Sequence, residues 1–150
     1  MSLPIKIIVQ EELYVVNEPM EIMTILGSCI AVCLWDEKNR VAGMNHYLLP
    51  FWNGEGFKTL KYGNISIQRL FEEMILNGAL KQNIVAKIFG GAAINLAGGA
   101  LSVGEQNVRI AECVLSELKI PIIARDVGGR MGRKIILSSV DGSVYVKTSK

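Results

Sequence analysis

Two side chains have the chemistry to pass a proton to and from a nucleophile. Cys29 lies in the run Thr24-Ile25-Leu26-Gly27-Ser28-Cys29-Ile30-Ala31-Val32-Cys33-Leu34-Trp35, and His46, the only histidine, lies in Val41-Ala42-Gly43-Met44-Asn45-His46-Tyr47-Leu48. Both runs are apolar and rich in β-formers, and Asp36-Glu37-Lys38-Asn39-Arg40 divides them, which is the pattern of a hairpin. With Glu37 and Lys38 as a two-residue turn, the numbers of opposed residues sum to 75, so Cys29 faces His46. Opposed residues on one face hold their Cβ atoms roughly 4.5–5.5 Å apart. A slip of one residue would send the two side chains to opposite faces.

The chemistry such a pair supports is acyl transfer. The thiolate is the nucleophile, and an adjacent imidazole takes the thiol proton and returns it to a leaving amine. Gly27 and Ser28 leave the backbone ahead of Cys29 uncrowded, so that an acyl group can approach, with the Cys29 N–H as one candidate oxyanion donor. A third group should orient the ring, and Thr24 and Asn45 are the polar candidates nearby in sequence. The pattern alone does not establish catalysis: a cysteine in an apolar strand is ordinarily a packing residue, and a lone histidine is ordinarily a surface or satisfied core group.

The remaining composition narrows the classes. At 150 residues, half of them hydrophobic and 20% charged, the chain has the length and make-up of one globular domain over 1–150. A net charge of +2, with basic residues scattered apart from Arg130, Arg133 and Lys134, does not argue for nucleic acid. No apolar run approaches the ~18–20 residues that span a bilayer, and no basic segment leads into an apolar one at the N-terminus, so neither membrane insertion nor a leader is expected. Three cysteines without C-x-x-C spacing and one histidine offer no metal site. Cys33 and Cys113, in apolar surroundings, read as buried free thiols in a reducing cytoplasm.

The elements that must position Cys29 and His46 follow from periodicity. Short strands are expected at 6–9 and 13–16, and Pro50 ends the second strand of the hairpin. Ile67, Leu70, Phe71, Met74 and Ile75 form a helical stripe over 64–77, with Asn64 as N-cap and Gly78 just past the end. A strand at 84–89 precedes the small-residue segments 90–93 and 97–100, read as loop. A second helix spans about 105–118, a strand 121–127, and a last hairpin pairs 134–137 with 144–147 through Asp141-Gly142. Gly128-Gly129-Arg130-Met131-Gly132-Arg133-Lys134 lacks P-loop spacing and leads into a strand, so it reads as a tight turn; the glycine pairs at 90–91 and 98–99 read as close backbone packing. About seven strands and two helices give an α/β fold with largely antiparallel sheet, helices on one side and a possible second sheet stacked below.

Leu26-Gly27-Ser28-Cys29-Ile30-Ala31-Val32, Gly43-Met44-Asn45-His46-Tyr47-Leu48-Leu49-Pro50, Lys87-Ile88-Phe89-Gly90-Gly91-Ala92, Gly104-Glu105-Gln106-Asn107 and 126–134 together resemble, in order, the chemoreceptor glutamine deamidases of the CheD family. The resemblance implies a layered α-β-β sandwich with mostly antiparallel sheets, similar to the catalytic domain of the cytotoxic necrotising factor toxins. It implies a hydrolase that converts chosen glutamines of methyl-accepting chemotaxis receptors to glutamate, releasing ammonia through a thioester. By the same resemblance Cys29 is the nucleophile, His46 the base and Thr24 the third member, with Gly27, Ser28 and Asn45 as candidate substrate contacts. No cofactor or metal is implied. The implied partners are receptor cytoplasmic helices as substrate and a CheC-type phosphatase. A chain that serves mainly as a regulatory partner of such a phosphatase, and another thiol acyl hydrolase such as a receptor methylesterase, remain alternatives.

Overall fold

A computed structural model describes residues 2–93 and 102–149. The glycine-rich segment expected as loop at 97–100 lies outside the described residues. Among those described, nine strands and two helices fold in the order β1 (Ile5–Ile7), β2 (Leu13–Val16), β3 (Glu21–Leu26), β4 (Ile30–Asp36), β5 (Val41–Asn45), α1 (Gly63–Leu76), β6 (Ile84–Gly90), α2 (Val103–Glu117), β7 (Ile122–Val127), β8 (Arg133–Ser138) and β9 (Val144–Thr148).

The strands form two sheets, ordered β1-β3-β8-β9 and β2-β5-β4-β6-β7. Five of the seven strand pairs are antiparallel; β1 with β3 and β6 with β7 are parallel. Alternation along β4 explains the layering. Ile30, Val32 and Leu34 join Ile67, Leu70, Met74, Ala111 and Leu115 of the helices in one core. The side chains between them, Ala31, Cys33 and Trp35, join Ile22, Leu26, Ile135 and Leu137 of the other sheet in a second. A strand buried on both faces reads as a continuous apolar run, and β4 is buried along its whole length. The architecture is therefore the expected α-β-β sandwich: helices, then the five-stranded sheet, then the four-stranded sheet. No helix among the described residues is long and apolar enough to cross a membrane.

Local differences from the sequence reading have physical causes. The run from Thr24 to Trp35 is two strands in different sheets, because the chain crosses from one sheet to the other at Gly27-Ser28-Cys29. The β4–β5 hairpin pairs Cys33 with Met44 and Asp36 with Val41, so opposed numbers sum to 77 and not 75. Its connection is four residues, 37–40, with Arg40 at φ 55° and the Asp36 carboxylate accepting from both the N–H and the side-chain amide of Asn39. That side-chain cap favours the wider turn over a two-residue one that Glu-Lys fits poorly. Helix α1 starts at Gly63 with Tyr62 in the cap position, two residues before the expected Asn64 and without a side-chain cap, since Asn64 Oδ1 instead accepts from the Trp52 N–H. Helix α2 starts earlier than expected because Ser102 caps it through the Glu105 N–H.

Candidate active site

The site forms where the chain changes sheets. Thr24 on β3 faces the inter-sheet layer from one sheet, while Cys29 at the entrance to β4 and His46 just past β5 face it from the other. Two residues of register change which side chains are opposed without changing their faces. The bridge between Ile30 and Tyr47 sets Ala31, not Cys29, opposite His46. Cys29 is then the diagonal neighbour of His46 on the shared face, a relation that spans roughly 7–8 Å and is within reach of a ring. The direct opposition expected from the shorter turn is thereby corrected.

The loop that carries Cys29 is held by its carbonyls. The Ala92 N–H donates to Gly27 O at 3.0 Å, the Gly91 N–H to Cys29 O at 2.9 Å, and the Asn107 side-chain amide to Ser28 O at 3.1 Å. Close approach of β6 requires a glycine: Gly90 has φ +107°, and a Cβ there would lie 2.2 Å from Cys29 O. Arg133 fixes the far side. Its guanidinium, largely buried, donates to the Asp126 carboxylate and to the carbonyls of Gly90 and Gly128, tying β8 of one sheet to β6 and β7 of the other.

Hydrogen-bond logic assigns the histidine tautomer. Thr24 Oγ1 lies 2.8 Å from Ile8 O and 2.7 Å from His46 Nδ1, and all three groups are buried. The Ile8 carbonyl can only accept, so it takes the single hydroxyl proton. Thr24 Oγ1 must then accept from an Nδ1–H. The lone pair of the neutral ring is left on Nε2, which is buried without a partner among the described residues. Burial pushes the His46 pKa down to about 4, with the Glu12 carboxylate acting weakly the other way. Burial likewise raises the Cys29 thiol, while its own N–H offsets part of the rise. Both shifts favour a resting pair of neutral thiol and neutral imidazole, a base with its lone pair available.

An apolar cleft of about 290 Å³ opens beside these groups, walled by Ile7, Ile8, Val9, Met23 and Ile25 and reaching Thr24 and His46. Cys29 is not part of its lining.

A family model described as CheD chemotactic sensory transduction matches residues 48–148. The chain belongs to the CheD family. A Trichlorobacter lovleyi protein named "Probable chemoreceptor glutamine deamidase CheD" is 48% identical over 134 residues, 89% of this chain and 83% of that one. A Sulfurimonas denitrificans protein of the same name is 49% identical over 144 residues, 95% of this chain and 92% of its own. The fold is similar to that of Neisseria meningitidis protein NMB0706, of family DUF152, with TM-score 0.58 and 11% identity, covering 89% of this chain and 74% of that one.

Of the residues that the CheD resemblance singled out, the structure brings Thr24 and His46 into contact across the two sheets and sets Cys29 on the same face of the five-stranded sheet as His46. Gly27 and Ser28 form the half-buried loop entering Cys29. Asn45 is not brought to the site. It is fully buried on the helix side, where Oδ1 accepts from the Val32 N–H and Nδ2 donates to Ser66 Oγ. Its role there is to brace β4 against α1, and this corrects its expected place among the substrate contacts. Cys33 is a buried free thiol with its pKa pushed up to about 12 by burial, whereas Cys113 is a free but exposed thiol beside Glu117, contrary to its apolar sequence surroundings. Sequence reasoning missed Arg133 and Asn107 as supports. Asn107 carried a signal: it interrupts the buried stripe Gly104, Asn107, Ala111, Leu115 with a polar side chain.

Proposed function

We propose that the chain is a cytoplasmic protein-glutamine deamidase, one domain over 1–150, that converts glutamines of chemotaxis receptors to glutamate. The observation that carries this reading is the Thr24–His46 hydrogen bond, which leaves a lone pair on Nε2 on the face shared with Cys29. The names of the relatives support the substrate class.

The glutamine carboxamide enters past Gly27 and Ser28. His46 Nε2 takes the Cys29 proton as sulfur attacks the carboxamide carbon, and the oxyanion forms against the Cys29 N–H. Collapse breaks the C–N bond, and the His46 proton leaves with ammonia. Water, deprotonated by the same Nε2, hydrolyses the thioester to glutamate and restores the thiol. Overall, carboxamide and water become carboxylate and ammonium. Each proton-transfer assist of this kind contributes typically ~10²–10⁴-fold. Thr24 holds the ring in the tautomer the cycle needs. A CheC-type phosphatase is the regulatory partner proposed with this reading, competing for the surface that the receptor uses.

The test incubates the protein with a glutamine-bearing receptor cytoplasmic fragment, measures ammonia, and locates the converted residue by mass spectrometry. Ammonia release that disappears in Cys29→Ser is the expected result. Release no greater than that background overturns the reading, and methanol from a methylated fragment would replace it with an esterase.

A further inference from the structure

We propose that Asn107 is a positioning residue of this site: by donating to the carbonyls on either side of the Cys29–His46 pair, its amide sets the peptide plane that aims the Cys29 N–H at the oxyanion. The inference rests on Cys29 being the nucleophile.

Asn107 lies on α2, fully buried, and its Nδ2 donates to Ser28 O at 3.1 Å and to Leu48 O at 2.9 Å. Ser28 immediately precedes Cys29, and Leu48 follows His46 by two residues. One amide thus joins the strand ends that carry the two reacting groups. The helix is itself anchored there, since the Tyr47 hydroxyl donates to Asn107 O at 2.5 Å and Tyr47 exchanges backbone bonds with Ile30.

The consequence for Cys29 follows from peptide geometry. In a planar trans peptide the C=O and the following N–H point in opposite directions. Ser28 O points at α2, so the Cys29 N–H points away from α2, into the inter-sheet layer where sulfur and imidazole lie. No acceptor among the described residues other than the Cys29 sulfur takes that N–H. A freely rotating Ser28–Cys29 peptide would lose this aim.

Asn107 also shows a cost that packing alone does not explain. Both carbonyls can only accept, so the amide must turn Nδ2 toward them, and Oδ1 is left buried without a partner among the described residues. Buried polar side-chain atoms are usually paired, and an apolar residue on this stripe would leave none orphaned on α2. The orphaned oxygen fits an amide kept for what its nitrogen does.

The test compares two reactions of the same thiol in the intact chain, neither of which needs a receptor. Iodoacetamide alkylates Cys29 by displacement at a saturated carbon and forms no oxyanion. p-Nitrophenyl acetate acylates it through a tetrahedral oxyanion, giving a thioester and p-nitrophenol. In Asn107→Asp, which keeps the shape but sets a carboxylate against two carbonyls, and in Asn107→Ala, acylation should fall at least tenfold while alkylation changes less than threefold. One oxyanion donor is worth roughly 10²–10³-fold. Equal falls in both reactions, or unchanged acylation in a folded variant, overturn the proposal. Should neither variant fold, the wild-type protein decides: an aldehyde analogue of a glutamine peptide forms a hemithioacetal on Cys29 and should move the Cys29 amide proton resonance, and an unmoved resonance overturns the proposal. A wild-type Cys29 that neither reagent labels removes the nucleophile reading and this inference together, whereas a labelled Cys29 without ammonia release removes only the deamidase reading.

Discussion

Thr24 shows how one hydroxyl decides which nitrogen of a ring can act. Its proton goes to Ile8 O, so its oxygen faces His46 Nδ1 as an acceptor, and the working lone pair is on Nε2. Thr24→Val keeps the volume and removes both bonds. The Ile8 carbonyl and the His46 Nδ1–H are then buried without partners, each costing about 1–3 kcal/mol, and the ring is free to adopt the other tautomer, with Nε2 protonated. We expect Thr24→Val to lower the deamidation kcat by roughly 10–10²-fold, the range in which partners that orient a histidine ligand act, with KM nearly unchanged. Thr24→Ser, which restores the hydroxyl, should recover most of the rate. Steady-state kinetics on both variants check this; a Thr24→Val enzyme with wild-type kcat would detach Thr24 from the chemistry. Residue by residue, Cys29 and His46 stand out because thiols and imidazoles are rare in this chain, whereas Thr24 is one of several hydroxyls and is singled out as third member only by the CheD resemblance. Asn45 misled because an amide next to the histidine in sequence alternates to the other face of the strand.

At the scale of elements, the strand switch at 27–29 makes the site, and it was the feature least legible in advance. A run of apolar β-formers looks the same whether it stays in one sheet or changes sheets, and only the contacts of each half distinguish them. The hairpin register was off by two because the Asp36 side chain caps a longer turn, a tertiary choice that turn propensities do not encode. The shift preserved faces, so Cys29 and His46 still face one layer, as diagonal and not as opposed neighbours. The glycine pair at 90–91, by contrast, was read correctly as close packing, and it has a testable consequence. Gly90→Ala sets a Cβ 2.2 Å from Cys29 O at φ +107°, whereas Gly54→Ala meets a comparable φ of +98° with nothing within 4 Å. The conformational cost, about 1 kcal/mol, is shared; the clash is not. Gly90→Ala should therefore be destabilised by at least about 1–3 kcal/mol more than Gly54→Ala in urea unfolding. It should also lose activity at concentrations where it is folded, because the displaced carbonyl belongs to Cys29, the proposed nucleophile. Equal stabilities for the two variants would show that the Cys29 loop yields freely and does not hold the sulfur in place.

For the whole molecule, the decisive fact is that the proposed reacting groups sit in a layer between two sheets and not on an open surface. The same burial that keeps His46 neutral ties folding to pH. The folded pKa is about 4 against an ordinary value of 6.5, so between those values the unfolded chain binds a proton that the folded chain refuses. The stabilising contribution is complete above the unfolded value and is lost as pH falls toward the folded one, amounting to about 2 kcal/mol between about pH 7.5 and 5. Asp36, which burial pushes up but the combined hydrogen bonds from Asn39 and the Leu80 N–H bring below the ordinary value, and Asp141, lowered by Ser143, change stability in the same direction but at more acid pH, so they leave this window to the histidine. His46→Gln cannot take up the proton. Its unfolding free energy should be flatter than wild type by about that amount over the window, measured by urea titrations at a series of pH values. Matching slopes in the two proteins would mean that the imidazole is solvated in the folded chain, and the neutral base between the sheets would be lost with it. A flatter variant would tie the acid sensitivity of the fold to the lone pair that the chemistry uses.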